Sequence, residues 1–152
     1  MPGLGLLASA PPIQGYAVKA AAVMVNGNTI FTVTNGPIII NALVSLCITG
    51  NGATASTLQY SVTPTVGAGA QTISGASASL ANAAAGASVT LAGTALSTAA
   101  LYNANGPNLI ANPGTIFCPA GTLTMVIGTG STTGTWQHHI WYTALANGVI
   151  VS

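Results

Sequence analysis

The sequence predicts an all-β fold: a single antiparallel β-sandwich of jelly-roll-like type, preceded by an extended N-terminal arm. Three observations predict it. Short runs of alternating apolar and polar residues recur along the chain, as expected where successive side chains point to opposite faces of a strand. Turn-forming Gly, Asn and Pro residues punctuate these runs at short intervals. No long stretch carries the 3.6-residue periodicity of a helix. The division expected is an arm over residues 1–15 and a β-sandwich over residues 16–152.

The stretch Ile30 to Ile48 organises the rest, with two strand-like runs flanking Asn35-Gly36-Pro37. In the second run Ile38, Ile40, Ala42, Val44, Leu46 and Ile48 share one parity, and Ile39, Asn41, Leu43, Ser45, Cys47 and Thr49 the other. The wholly apolar parity is expected to face the core and the mixed parity to be partly covered.

Taken in order, Met1 to Gly15 contains Pro2, Pro11 and Pro12, which resist both helix and sheet ladder. Tyr16 to Val25 reads as a first strand or, from Lys19, as a turn of helix; Asn26-Gly27-Asn28 turns the chain. Thr29 to Thr34 is the next strand. Asn35-Gly36 suits a hairpin, which Pro37 lengthens. After the strand Ile38 to Thr49, Gly50-Asn51-Gly52 is a turn, and Ser56 to Thr63 sets Leu58, Tyr60 and Val62 on one face. Thr65 to Ala87 is weakly patterned, anchored by Ile73 and Leu80. Short strands follow at Ser88 to Ala92 and, as edge or connector, at Leu96 to Tyr102. Asn103 to Gly114 is loop. Strands at Thr115 to Cys118 and Thr122 to Gly128 lead to a Gly/Thr-rich hairpin loop ending at Gly134. The last long strand, Thr135 to Leu145, puts Trp136, His138, Ile140 and Tyr142 on one face and Gln137, His139 and Trp141 on the other.

Composition excludes several functions. The 152 residues include one Lys (Lys19) and no Arg, Asp or Glu, where an ordinary soluble domain is about 25% charged. Nucleic-acid binding driven by counterion release has no basic residues to supply it. No carboxylate exists to act as a general acid or base, to orient a histidine, or to hold a hard cation. Half the residues are hydrophobic, which argues against disorder. Polar and small residues interrupt every candidate membrane-spanning helix, so no membrane partner is expected. The first twelve residues lack the positive region of an export signal.

Few side chains invite chemistry. His138 and His139 are adjacent, so one strand sends them to opposite faces and cannot offer both to one ion. A zinc site with Cys47 and Cys118 is conceivable, but the reading adopted is no metal, no cofactor and no catalytic residue. The two cysteines read as separately buried small residues. The Gly-x-Gly occurrences never open a helix as a dinucleotide-binding fingerprint requires. Trp136, His138 and Trp141 are the candidates for an oligomer interface, with one tryptophan in the core and one at the contact. In the arm, Leu4, Leu6, Leu7 and Ile13 are candidate contacts to a partner or a neighbouring subunit, since a free segment of this kind cannot bury its own leucines. A closed outer-membrane barrel is a structural rival, but the chain's eight aromatics and single Lys supply neither aromatic girdles nor a charged lumen.

Three segments carry a family resemblance. Phe31 to Gly50 reads F-T-V-T-N-G-P-I-I-I-N-A-L-V-S-L-C-I-T-G, Pro113 to Thr124 reads P-G-T-I-F-C-P-A-G-T-L-T, and Gly134 to Gly148 reads G-T-W-Q-H-H-I-W-Y-T-A-L-A-N-G. In plan, about Thr29 to Ser152 resembles the small all-β capsid decoration (cement) proteins of tailed bacteriophages. The resemblance implies a jelly-roll-like sandwich, usually a homotrimer, clamped through the major capsid protein on the outer surface of the virion shell. The chain departs from such proteins in charge: they normally carry acids and this one has none, so complementary charge cannot drive its docking. Composition is compatible with this, because a half-apolar, nearly uncharged surface is hazardous on a free monomer and ordinary inside an assembly. The alternative from another class is a glycan-binding or adhesive fibre tip, with a sugar stacked on Trp136 or Trp141.

Overall fold

A computed structural model describes residues 13–67, 69–92, 96–104 and 115–152. Leu4, Leu6 and Leu7 of the arm, and most of the Asn103 to Gly114 loop, lie outside the described residues. Among the described residues eleven strands run in chain order as β1 (Ile13–Val25), β2 (Thr29–Thr34), β3 (Ile38–Cys47), β4 (Leu58–Pro64), β5 (Gln71–Thr72), β6 (Ser88–Thr90), β7 (Leu101–Asn103), β8 (Ile116–Cys118), β9 (Gly121–Ile127), β10 (Ser131–Ala144) and β11 (Ile150–Val151). They form two antiparallel sheets. Sheet A has the order β1-β10-β3-β6-β7, with β8 also on β3; sheet B has the order β11-β2-β9-β4-β5. β6 takes Val44 to Leu46 and β8 takes Ile38 to Ile40, so two short strands share one long one. The fold is the expected all-β sandwich. Among the described residues its strands make two separate antiparallel sheets.

The chain winds between the sheets more than the turn signals suggest. β1 to β4 fall alternately in A, B, A and B, then β10 inserts between β1 and β3 while β9 inserts between β2 and β4. The Asn35-Gly36 turn is therefore an inter-sheet corner and not a hairpin. Asn35 adopts φ 62° and Gly36 φ 141°, and the Asn35 amide donates to the Gly148 carbonyl at 3.1 Å. The Gly/Thr-rich segment after β9 is likewise a corner: β9 pairs with β2 and β4, and β10 with β1 and β3. A turn dipeptide fixes a reversal of direction; it does not say which sheet receives the next strand.

β1 begins before the boundary expected for the arm. Ile13, Gln14 and Gly15 are its first residues, paired with Ala144, Thr143 and Tyr142 of β10.

β3 corrects the parity reading. Ile38 and Ile40 are buried as expected, but the register against β10 then jumps from Ile40↔Tyr142 to Ala42↔Trp141. Asn41 is the extra residue, a β-bulge held by its amide donating to Thr143 Oγ1 at 2.9 Å. One inserted residue exchanges the faces of everything beyond it. Beyond the bulge Leu43, Ser45 and Cys47 are buried, while Val44 and Leu46 are half-covered on the outer face and Ile48 is exposed. The mixed parity therefore supplies the second half of the core.

That core lies between the sheets. Ile38, Ile40, Leu43, Trp136 and Ile140 of sheet A pack toward Ile30, Phe31, Leu58, Tyr60 and Leu123 of sheet B, all essentially inaccessible. The weakly patterned Thr65 to Ala87 segment closes one end. Its anchors Ile73 and Leu80 are buried as expected, and the Ser77 and Leu80 amides bond the carbonyls of Leu58 and Ser56.

Gly134 marks the closest approach of the loop after β3 to β10. A Cβ there would run into the Thr49 carbonyl oxygen and lie 2.6 Å from Asn51 Oδ1. Most of this obstacle is backbone, which must move to make room. Gly134→Ala is expected to cost about 1–3 kcal/mol, the usual range for overpacking, and to lower the melting temperature in a calorimetric scan.

Candidate interaction face

Alternation along β10 divides its functional candidates between two environments, as the adjacency of His138 and His139 requires. Trp136 and His138 point inward, at 0% and 3% exposure. This corrects their assignment to an oligomer interface: a copy docking on the folded domain meets neither. Both belong to the interior because their parity matches that of Ile140, which packs in the core.

His138 sits opposite Ser45 of β3, and its Nδ1 lies 2.7 Å from Ser45 Oγ. Ser45 Oγ is 2.8 Å from Tyr60 Oη, and the Tyr60 hydroxyl donates to the Val89 carbonyl at 3.1 Å. This chain of polar groups crosses from sheet A to sheet B and satisfies three buried side chains. Burial, reinforced by His139 and Lys19, pulls the His138 imidazole down to about 4, so it is neutral at pH 7. Burial raises the Tyr60 phenol well above its usual range. A serine beside an imidazole has the form of a nucleophile and its base, but Ser45 is fully buried and no acid orients the ring. The arrangement bonds the two sheets together.

The opposite face of the same strands is exposed. Trp141 is 43% exposed and Tyr16, its partner across β1 and β10, 51%. Their rings lie 5.1 Å apart between centroids. His139 completes the group, with its Nδ1 2.7 Å from Tyr16 Oη and its ring 6.0 Å from that of Trp141. The buried His139 Nε2 has no hydrogen-bond partner among the described residues, and burial holds this imidazole below the usual histidine range. Val18, opposite His139, extends the patch. Of the interface candidates, Trp141 is the one on the surface.

β1 exposes most of its large side chains, while Ala17 and Met24 turn toward the core. Ile13, Tyr16, Val18, Val23 and Val25 are all large apolar or aromatic side chains with substantial exposure, whereas Met24 is buried. Ile13, a candidate contact, opens this strand. The shared face of His139 and Trp141 follows from alternation, but Tyr16 joins them from 123 positions before His139, a pairing no local pattern encodes.

Cys47 and Cys118 are free and buried; burial pushes the Cys118 thiol up to about 11. Among the described residues no three or more His, Cys, Asp or Glu side chains gather as a metal site, and no helix is long and apolar enough to cross a membrane. Comparison with protein-family models, curated proteins and solved structures finds no match.

Proposed function

We propose that this domain is a structural subunit of a virion, a decoration protein that coats the outer surface of a phage capsid by binding the major capsid protein and copies of itself. The observation that carries the reading is the pairing of an almost uncharged chain with an uncovered face. Tyr16, Val18 and Trp141 stand exposed together on a domain with one Lys and no other charged side chain. Such a surface is stable in solution chiefly when another molecule covers it. An interface of this make-up, aromatic at its centre and free of charge, matches the composition of protein contacts. The winding supports the same reading. Strands that alternate between sheets, with β10 and β9 returning between earlier neighbours, fit a jelly roll, an architecture that occurs in viral shells. Composition favours a homo-oligomer, and the resemblance to decoration proteins implies that it is a trimer.

Jelly rolls also serve as lectins, and one observation favours that second reading. The exposed Tyr16 and Trp141 rings are flanked by the neutral side chains of Gln14, Gln137 and Thr143 on the same face, a surface on which a sugar could stack.

The position of the protein on purified particles distinguishes the two. For the decoration reading, imaging and quantitative mass spectrometry are expected to find many copies, in a regular array over the outer shell and in fixed ratio to the capsid protein. A few copies confined to a tail or spike would overturn it in favour of the adhesive module.

A further inference from the structure

Among the described residues β1 pairs on one side only, with β10, and its other edge offers a seven-residue ladder whose length and side chains suit a second copy of itself. Proteins usually shorten, bend or charge an edge strand to prevent such pairing. Here the strands at the other sheet ends, β7, β5 and β11, have three, two and two residues, whereas β1 has thirteen. Only part of β1 is regular. From Ile13 to Lys19 it pairs with β10 from Ala144 to His138 without interruption; the register then slips between Lys19 and Ala22. Pro12 precedes the regular stretch and cannot donate to a ladder. The usable edge is thus bounded by a proline at one end and a bulge at the other, and Tyr16 is its midpoint.

We propose that β1 pairs antiparallel with β1 of a second copy about a two-fold axis at Tyr16, continuing sheet A from one molecule into the next. In that register Tyr16 faces its own counterpart, Gln14 faces Val18, Gly15 faces Ala17 and Ile13 faces Lys19. The contact is isologous, so one strand supplies both sides. On the outer face the two tyrosines form a cross-strand aromatic pair and join the two Tyr16–Trp141 clusters into one patch. On the inner face Gly15 and Ala17 are small, and the Tyr142 ring of β10 lies over Gly15. The chain's single charge is placed without conflict. Lys19 lies at one end of the ladder, so the two lysines are about 20 Å apart at ~3.4 Å per residue, where like charges are largely screened.

A seven-residue ladder with its neighbours falls short of the roughly 20–30 residues a side of a standard interface. The pairing is therefore weak between free molecules and strong where copies are already held side by side, because effective concentration then replaces affinity. It requires no particular particle and stands apart from the decoration reading: it concerns copies of this chain in purified form, and it is compatible with a trimer built through another face.

The test is self-cross-linking of the full chain. Wild-type Cys47 and Cys118 are buried and free, which keeps the background low. Residues directly opposed across an antiparallel pair have Cα atoms about 4.5–5.5 Å apart, within disulfide reach. The Tyr16→Cys variant is expected to form a covalent dimer under mild oxidation at least about tenfold faster than Val25→Cys, which lies on the same strand beyond the bulge and outside that reach. A second pair of variants does not rely on thiols. Tyr16→Lys and Tyr16→Glu should each abolish the contact through like charges, and an equimolar mixture should restore it as a heterodimer in native mass spectrometry. Equal cross-linking rates at positions 16 and 25 would overturn the proposal, as would a mixture that stays unpaired.

Discussion

Lowering the pH from about 6.5 to about 4 should remove about 3 kcal/mol of folding stability, and one side chain should account for most of it. His138 is held neutral down to about 4, whereas an unfolded histidine titrates near 6.5. Between these values the unfolded chain binds a proton that the folded chain does not, so protonation favours unfolding. The contribution is fully present above about 6.5, declines as the pH falls toward 4, and changes little below that. A difference of about 2.5 pH units at 1.36 kcal/mol each gives the magnitude. His139, depressed by burial as well, adds a smaller loss of the same sign. In most proteins carboxylates dominate acid unfolding and obscure such a term. This chain has no Asp or Glu, so the histidines stand nearly alone. For a domain of about 150 residues, about 3 kcal/mol corresponds to roughly 6–12 °C in melting temperature. Calorimetric scans from pH 8 to pH 4 should show that fall for the wild type and a much flatter profile for His138→Gln. Parallel slopes for the two proteins would assign the acid response elsewhere.

The contrast between His138 and its neighbour His139 indicates how much a sequence of this kind reveals. Their opposite orientations follow from alternation alone, and so does the shared face of Trp136, His138 and Ile140. The strands were legible because Gly, Asn and Pro mark their ends and because no helical period competes with them. Three things were not legible. Asn41 looks like any polar residue on a mixed strand face, yet as a bulge it moves Ser45 into the core and Val44 out of it. Ser45 then meets Tyr60 and His138, a network that depends on two sheets packing in one register. The inter-sheet corners after β2 and β9 use residues that would equally serve hairpins. In the candidate face, alternation put Trp136 and Trp141 on opposite faces, so that one had to be buried and one exposed, without saying which. Tyr16 could not be placed beside Trp141 without knowing that the first long strand and the last are neighbours. Each missed feature is a long-range pairing, and local pattern carries no information about those.

Asn51 is the largest single consequence of such a pairing. In sequence it is the middle of a Gly-Asn-Gly turn, where Asn is common for its backbone tolerance. In the fold its side chain is a junction. Its Oδ1 accepts from the Gly134 amide at 2.9 Å and from the indole Nε1 of buried Trp136 at 3.2 Å. Its Nδ2 donates to the carbonyl of Leu80 at 3.0 Å, and its backbone amide bonds the Ala83 carbonyl at 2.9 Å. One side chain thus joins the loop after β3 to β10 and to the segment that closes the end of the core. Asn51→Ala removes three side-chain hydrogen bonds at once and leaves the Trp136 indole without this acceptor. At about 1 kcal/mol per bond, with a further desolvation cost for any group left dry, the expected loss is about 2–4 kcal/mol. A double-mutant cycle with Trp136→Phe, which deletes the indole donor, separates the junction from ordinary loss of packing. The two substitutions should be non-additive by about 0.5–1.5 kcal/mol, because the second removes a bond the first has already broken. Denaturant midpoints for the four proteins measure this. Strict additivity would mean that Trp136 is held by packing alone, and a loss below about 1 kcal/mol for Asn51→Ala would mean that water replaces all three bonds without penalty.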